Sequence, residues 1–285
     1  MLAPAGVSVV DSHCHLDQPQ FDLDRESVIQ RAVESGVAHI INPGVDLPSS
    51  HAAIGLAQRH ESIYAAVGVH PHEAQTLDAA GLAELETLAR SPKNVAIGEI
   101  GLDYYRDLSP RDAQRRAFRQ QLELAAELDL PVIVHDRDAH DDVLAMLREW
   151  HASLLSVTRH SAFGVLHSFS GDAAMAERAV ELGFYIGVSG PVTYKNAHRL
   201  REVVSALPLE RLLIETDAPY LTPHPHRGRR NEPAYVRRVA QALAEVKGVT
   251  LEQAAAQTTA NARMLFGLKD IWLTQEKHGW SQRDF

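Results

Sequence analysis

Val7-Ser8-Val9-Val10-Asp11-Ser12-His13-Cys14-His15 carries the chain from a short apolar run into a polar cluster within nine residues. The run Val7–Val10 reads as a buried strand. Side chains of a strand alternate between its faces, so Asp11, His13 and His15 point one way and Cys14 the other. The same grammar recurs downstream. Val95-Ala96-Ile97-Gly98 leads to Glu99, Pro131-Val132-Ile133-Val134 to His135, Gly164-Val165-Leu166 to His167, and Leu212-Leu213-Ile214-Glu215-Thr216 to Asp217. Each polar residue stands at the carboxyl end of an apolar run.

Candidate strands lie near 7–10, 38–41, 63–69, 95–99, 131–135, 164–167, 184–188 and 212–216, with helical patterns between nearly all of them. Eight strands alternating with helices predict a TIM (β/α)8 barrel, an α/β fold. The clearest helix follows Ser109-Pro110, read as an N-cap with proline at the first helical position, and carries the stripe Phe118, Leu122, Ala125, Leu128. Further patterns at 24–36, 79–90, 138–150, 172–182 and 232–246 supply the outer ring, and 151–163 reads as a loop insertion. No linker divides the 285 residues, so a single domain over 1–268 is expected, followed by a tail over 269–285.

The N-terminus lacks the basic and apolar regions of a signal peptide, and no stretch is long enough to span a bilayer. A cytoplasmic protein with no membrane association is expected. Cys14 is the single cysteine, which excludes an intramolecular disulfide; it is expected to pack beneath a helix. Nothing in the sequence points to an obligate protein partner.

Functional groups of such sheets gather at the carboxyl ends of strands. A lone histidine among 16 is more often a capped or packed residue than a ligand. That reading weakens when His13, His15, Glu99, His135, His167 and Asp217 all fall in register, six metal-ligand types from five strand ends. His51, His60, His140, His151, His160, His198 and His278 share no such register. Mixed imidazole and carboxylate ligation suits Mg, Mn or Zn, and two divalent metal ions of a hydrolase are the expectation.

Val10-Asp11-Ser12-His13-Cys14-His15-Leu16-Asp17, Gly68-Val69-His70-Pro71-His72, Gly98-Glu99-Ile100-Gly101-Leu102-Asp103-Tyr104, Val134-His135, His167-Ser168-Phe169-Ser170-Gly171 and Glu215-Thr216-Asp217-Ala218-Pro219-Tyr220 follow one another in order. Together they resemble the TatD family of metal-dependent deoxyribonucleases, from about Val7 to Leu268. The resemblance implies a barrel of the amidohydrolase superfamily with divalent-metal nuclease activity, often a 3′→5′ exonuclease on single-stranded DNA. It implies that His13, His15 and Asp217 hold one metal, that His135 and His167 hold the second, and that Glu99 bridges them. Two ions about 3.5–4 Å apart suit in-line displacement at a phosphodiester. Asp217 and Glu99 are the catalytic candidates, with Asp217 as general base toward the attacking water.

The resemblance implies that His70 and His72 contact substrate phosphate or hold an additional metal, and Tyr104 is a further expected substrate contact. Phe169 and Tyr104 are candidates to stack on a base. Asp11, Asp103 and Glu215 flank ligands and are candidates to orient imidazoles. A net charge of −9 disfavours a polyanion, so a local patch must compensate. Arg227, Arg229 and Arg230, just beyond the eighth strand, supply it. The alternative is a small-molecule amidohydrolase, such as a lactonase or amidase, on the same metals.

Overall fold

The computed structural model describes residues 7–154 and 163–269. The expected tail from 270 onward, and most of the expected 151–163 insertion, lie outside the described residues. Of the insertion's described residues, 151–154 are helix rather than loop, because the preceding helix continues to Leu154.

The strands are β1 (Val9–Asp11), β2 (Val37–Pro43), β3 (Ile63–Val67), β4 (Asn94–Asp103), β5 (Val132–Arg137), β6 (Gly164–Leu166), β7 (Phe184–Val188) and β8 (Leu212–Ile214). They pair in parallel in sequence order. Backbone bonds Ser12 N–H to Ile214 O (3.1 Å), Asp217 N–H to His13 O (2.9 Å) and His15 N–H to Ala218 O (2.8 Å) join the last strand to the first. The eight-stranded TIM barrel expected from the sequence is therefore present.

Parallel neighbours need crossovers, and helices provide them. They are α1 (Arg25–Glu34), α2 (Leu47–Arg59), α3 (Ala79–Ala89), α4 (Arg111–Leu128), α5 (His140–Leu154), α6 (Ala173–Glu181), α7 (His198–Ala206), α8 (Val236–Lys247) and α9 (Leu251–Phe266). The sequence pattern did not single out α2, α7 or α9. α2 is fixed by a capping box, in which Asp46 accepts from Ser49 N–H and Ser49 Oγ accepts from Asp46 N–H. Ser109 is not the cap of α4. Its hydroxyl donates instead to His72 O at 2.7 Å, tying the start of the helix to the loop after β3.

The barrel interior takes residues from every strand, Val10, Ile41, Ala66, Val95 with Ala96, Ile133, Val165, Tyr185 and Leu213, and packs them against Ala262, Leu265 and Phe266 of α9. α9 thus plugs the amino-terminal end of the barrel. The larger apolar layer lies between strands and outer helices and contains Cys14, as its strand face predicts. With one end plugged, polar chemistry is left to the other.

Candidate functional site

At the carboxyl ends of the strands, the six residues in register come together around the Glu99 carboxylate. Its Oε2 lies 3.3 Å from His13 Nε2 and 3.5 Å from His15 Nε2. Asp217 Oδ1 completes that side, 3.8 Å from His13 Nε2 and 3.6 Å from His15 Nε2. Glu99 Oε1 faces the other way, 2.9 Å from His135 Nδ1 and 2.7 Å from His167 Nε2. His70 Nε2 joins this second side at 3.4 Å. Two ligand sets therefore share one carboxylate, one oxygen each.

Local backbone geometry sets this up. Along β4 the step from Ile97 to Ile100 pairs with the shorter step from Val132 to Val134 on β5, so β4 holds one extra residue around Glu99. Such a bulge re-aims a side chain. Gly101 follows at φ +140°, where a Cβ would lie 2.0 Å from His135 O; no other residue fits. Asp217 itself adopts a left-handed backbone at φ 54°.

The charge states follow from crowding. Burial raises the Glu99 carboxyl, but the imidazoles of His167, His70 and His13 outweigh it and hold Glu99 well below the usual carboxylate range. Asp217 is also lowered, because His15 donates to it and His13 and His167 lie close, against burial. Burial likewise opposes charge on His15, yet Asp217 and Glu99 push it up to about 9. His167 rises well above its ordinary value through Glu99 and Glu215, and His135 rises through Asp103 and Glu99, both against burial. Burial wins at His13, which falls, and at His70, which falls to about 4 with His135 assisting.

A divalent metal fits this donor set. His13 Nε2 and His15 Nε2 approach to 3.1 Å, so two like ring nitrogens aim at one point. The trios His13–His15–Glu99 and His70–Glu99–His135 each bring their donor atoms within 4.8 Å of one another. Only a shared proton or a cation reconciles such lone pairs.

A profile of the family described as "TatD related DNase" matches residues 10–267. The chain belongs to that family. This TatD-family chain is 45% identical over 256 residues to the uncharacterized metal-dependent hydrolase YabD of Bacillus subtilis, covering 90% of the chain and 98% of its relative. It is 40% identical to the 3′-5′ ssDNA/RNA exonuclease TatD of Klebsiella pneumoniae, covering 90% and 97%. Among solved structures it resembles YJJV, a TatD homolog from Escherichia coli, with TM-score 0.84 and 36% identity over 92% of this chain and 98% of that one. The chain is a metal-dependent hydrolase of the TatD family.

The remaining expected residues divide. His70 and His72 line the cavity above the carboxylate, about 560 Å³ in volume. Asp103 accepts from both His72 Nε2 (2.8 Å) and His135 Nε2 (3.1 Å), and these bonds with Arg106 N–H hold its carboxyl below the usual range despite burial. Glu215 lies 3.7 Å from His167 Nδ1 and accepts from Ser168 N–H. Asp11 orients no imidazole. Its carboxylate accepts from Thr216 N–H (2.9 Å) and Thr216 Oγ1 (2.6 Å), bracing β1 against β8.

Tyr104 does not line the cavity. Its hydroxyl donates to Asp142 at 2.5 Å, and the Arg111 guanidinium lies 4.2 Å over its ring. Phe169 is buried in the apolar layer, which leaves no face for a base. The structure does not bring Arg227, Arg229 or Arg230 into the cavity lining. Arg230 pairs with Asp24 at 2.7 Å, and Arg227 lies 4.2 Å over the Tyr194 ring.

Three buried amides escaped sequence reasoning. Gln121 of α4 accepts from Val69 N–H (2.7 Å) and donates to Val69 O (3.0 Å), holding the backbone beside His70. Gln114, two turns earlier, does the same for Asp103, at 2.8 and 3.2 Å. Asn231 donates to Thr216 O (2.8 Å) and Tyr220 O (2.6 Å) on either side of Asp217. A glutamine in a helix carries no sequence signal of this kind.

Proposed function

We propose that the chain is a two-metal phosphodiester hydrolase acting on single-stranded nucleic acid, as a 3′→5′ exonuclease. The observation that carries this reading is the division of ligands by the Glu99 carboxylate. His13, His15 and Asp217 would hold one ion beside Oε2; His135, His167 and His70 would hold the other beside Oε1. Bound there, divalent ions supply Lewis acidity to a phosphodiester and lower the pKa of a water.

The protein groups do the rest. Asp217, ionised at neutral pH, accepts the proton of the attacking water as general base. Asp103 fixes the ring of His135 by accepting at Nε2, which leaves Nδ1 toward Glu99. His72 stands at the cavity edge on the same carboxylate, in reach of substrate phosphate. The activity named for the Klebsiella relative, on ssDNA and RNA, supports the substrate class.

A second reading, a small-molecule hydrolase on the same metals, draws support from the net charge of −9 and from the engagement of Arg230 with Asp24. One assay separates the two. Metal-stripped enzyme is reloaded with Mg, Mn or Zn and given end-labelled single-stranded DNA and RNA alongside lactone and amide substrates. Shortening of the 3′ end one nucleotide at a time supports the nuclease; turnover of only the small substrates sinks it.

A further inference from the structure

Six large apolar side chains stay exposed among the described residues, and three of them, Tyr105, Leu108 and Tyr220, line the cavity above Glu99. Tyr105 is 62% exposed and Tyr220 48% exposed. Apolar surface left in water at a cavity mouth marks a binding site more often than chance placement. The two rings also stand on opposite walls. Tyr105 follows the end of β4 and Tyr220 follows β8, and these strands are half a barrel apart in an eight-stranded order.

Each ring is tied by its backbone to the catalytic cluster. Tyr105 N–H donates to Asp103 Oδ1 at 3.0 Å, and Tyr220 N–H donates to Asp217 O at 2.8 Å. The Tyr220 ring centre lies 6.4 Å from that of His15. The Tyr105 wall is cationic. The Arg137 guanidinium sits 5.0 Å over the Tyr105 ring, and Arg106 joins it in the lining. Arg111 and Arg115 of the neighbouring helix are paired with Asp107 and Asp142. Among the described residues, Arg106 and Arg137 have no such carboxylate partner.

We infer that Tyr105 and Tyr220 are paired stacking platforms for unpaired bases on either side of the scissile phosphodiester, with Arg106 and Arg137 on the adjoining phosphates. This inference rests on the nuclease reading above. Every base has a π-face, so the platforms read no sequence, and aromatic rings with cationic neighbours are how single strands are held without readout. A duplex hides those faces in its own stack. The two walls therefore select single strands by requiring bases that are free to turn outward.

The test compares the wild type with Tyr105→Leu, Tyr220→Leu and the conservative Tyr105→Phe and Tyr220→Phe. Substrates are a single-stranded oligonucleotide, the same backbone with abasic sites at the 3′ end, and a chromogenic phosphodiester. Binding of a fluorescent oligonucleotide is measured separately in an Asp217→Asn background, so that the strand survives. Each leucine variant should raise KM and Kd for the base-bearing strand about tenfold. The phenylalanine variants, the abasic strand and the small diester should move little. Equal losses on base-bearing and abasic strands, or no loss, overturn the platforms while leaving the nuclease standing. A wild type that cleaves the chromogenic diester and no oligonucleotide overturns both.

Discussion

Replacing Gln121 by leucine separates the support of the site from its ligands. The side chain is fully buried on α4 and spends both ends of its amide on Val69, the residue before His70. Leucine fills a similar volume but neither donates nor accepts. Val69 N–H and C=O would be left buried without partners, at about 1–3 kcal/mol each. The additional apolar burial returns about 1 kcal/mol, so a net loss of about 1–5 kcal/mol is expected. Urea unfolding of metal-stripped protein should show a lower midpoint at unchanged slope, the signature of altered stability alone. Because the freed backbone carries His70, metal affinity on the Oε1 side of Glu99 should weaken in the same variant. A stability change under about 0.5 kcal/mol would refute the assignment of Gln121 as the clamp of that loop.

Further outcomes follow from the charges. Glu99→Gln should lower bound metal, measured by atomic emission, more than any single histidine substitution, since only Glu99 faces both ligand sets; Asp217→Asn should keep most metal and lose turnover. Metal uptake should release protons, read by calorimetry in buffers of different ionisation enthalpy, because His15, pushed up to about 9, and His167, raised well above its ordinary value, hold protons at neutral pH without metal. For His15, raised from 6.5 to about 9, the stabilising pairing in metal-free protein is full below pH 6.5 and fades toward pH 9, while metal affinity climbs over the same range. Replacing Arg227, Arg229 and Arg230 together should flatten the salt dependence of oligonucleotide turnover by about one unit of slope for each phosphate the arginines had neutralised; no change would make this a solvated loop.

The barrel was legible because eight apolar runs of strand length end in polar residues, a pattern that packing on both faces imposes. The helices not singled out are those whose apolar stripe is diluted: Pro48, His51 and Gly55 interrupt α2, and α9 buries Thr258, Thr259 and Asn261 among its apolar residues. The ligand cluster was legible because imidazole and carboxylate at successive strand ends have few structural reasons to coincide. Its supports were not. Gln114, Gln121 and Asn231 act through backbone atoms far away in sequence, which no local pattern encodes. Just past a strand end, alternation no longer governs direction. The ring at the cavity is therefore Tyr105 rather than Tyr104; Asp11, still within β1, is held by Thr216 across the seam, a partner 205 positions away that no local pattern encodes.

The seam between β1 and β8 ties the order of synthesis to the chemistry. His13 and His15 leave the ribosome well ahead of Asp217 and its partners across the seam; Ser12 and Ile214 are 202 positions apart. Residues on the Oε1 side of Glu99 span a shorter stretch, from His70 to His167. During translation that half can gather first, and the half across the seam must wait for the chain to close into a ring. An ion held by His13, His15 and Asp217 would then act as a clasp on the closed ring, stabilising it by mass action. Amide exchange at Ser12 and Asp217 should slow on metal addition; unchanged exchange would mean that the ring closes without regard to the ion it holds.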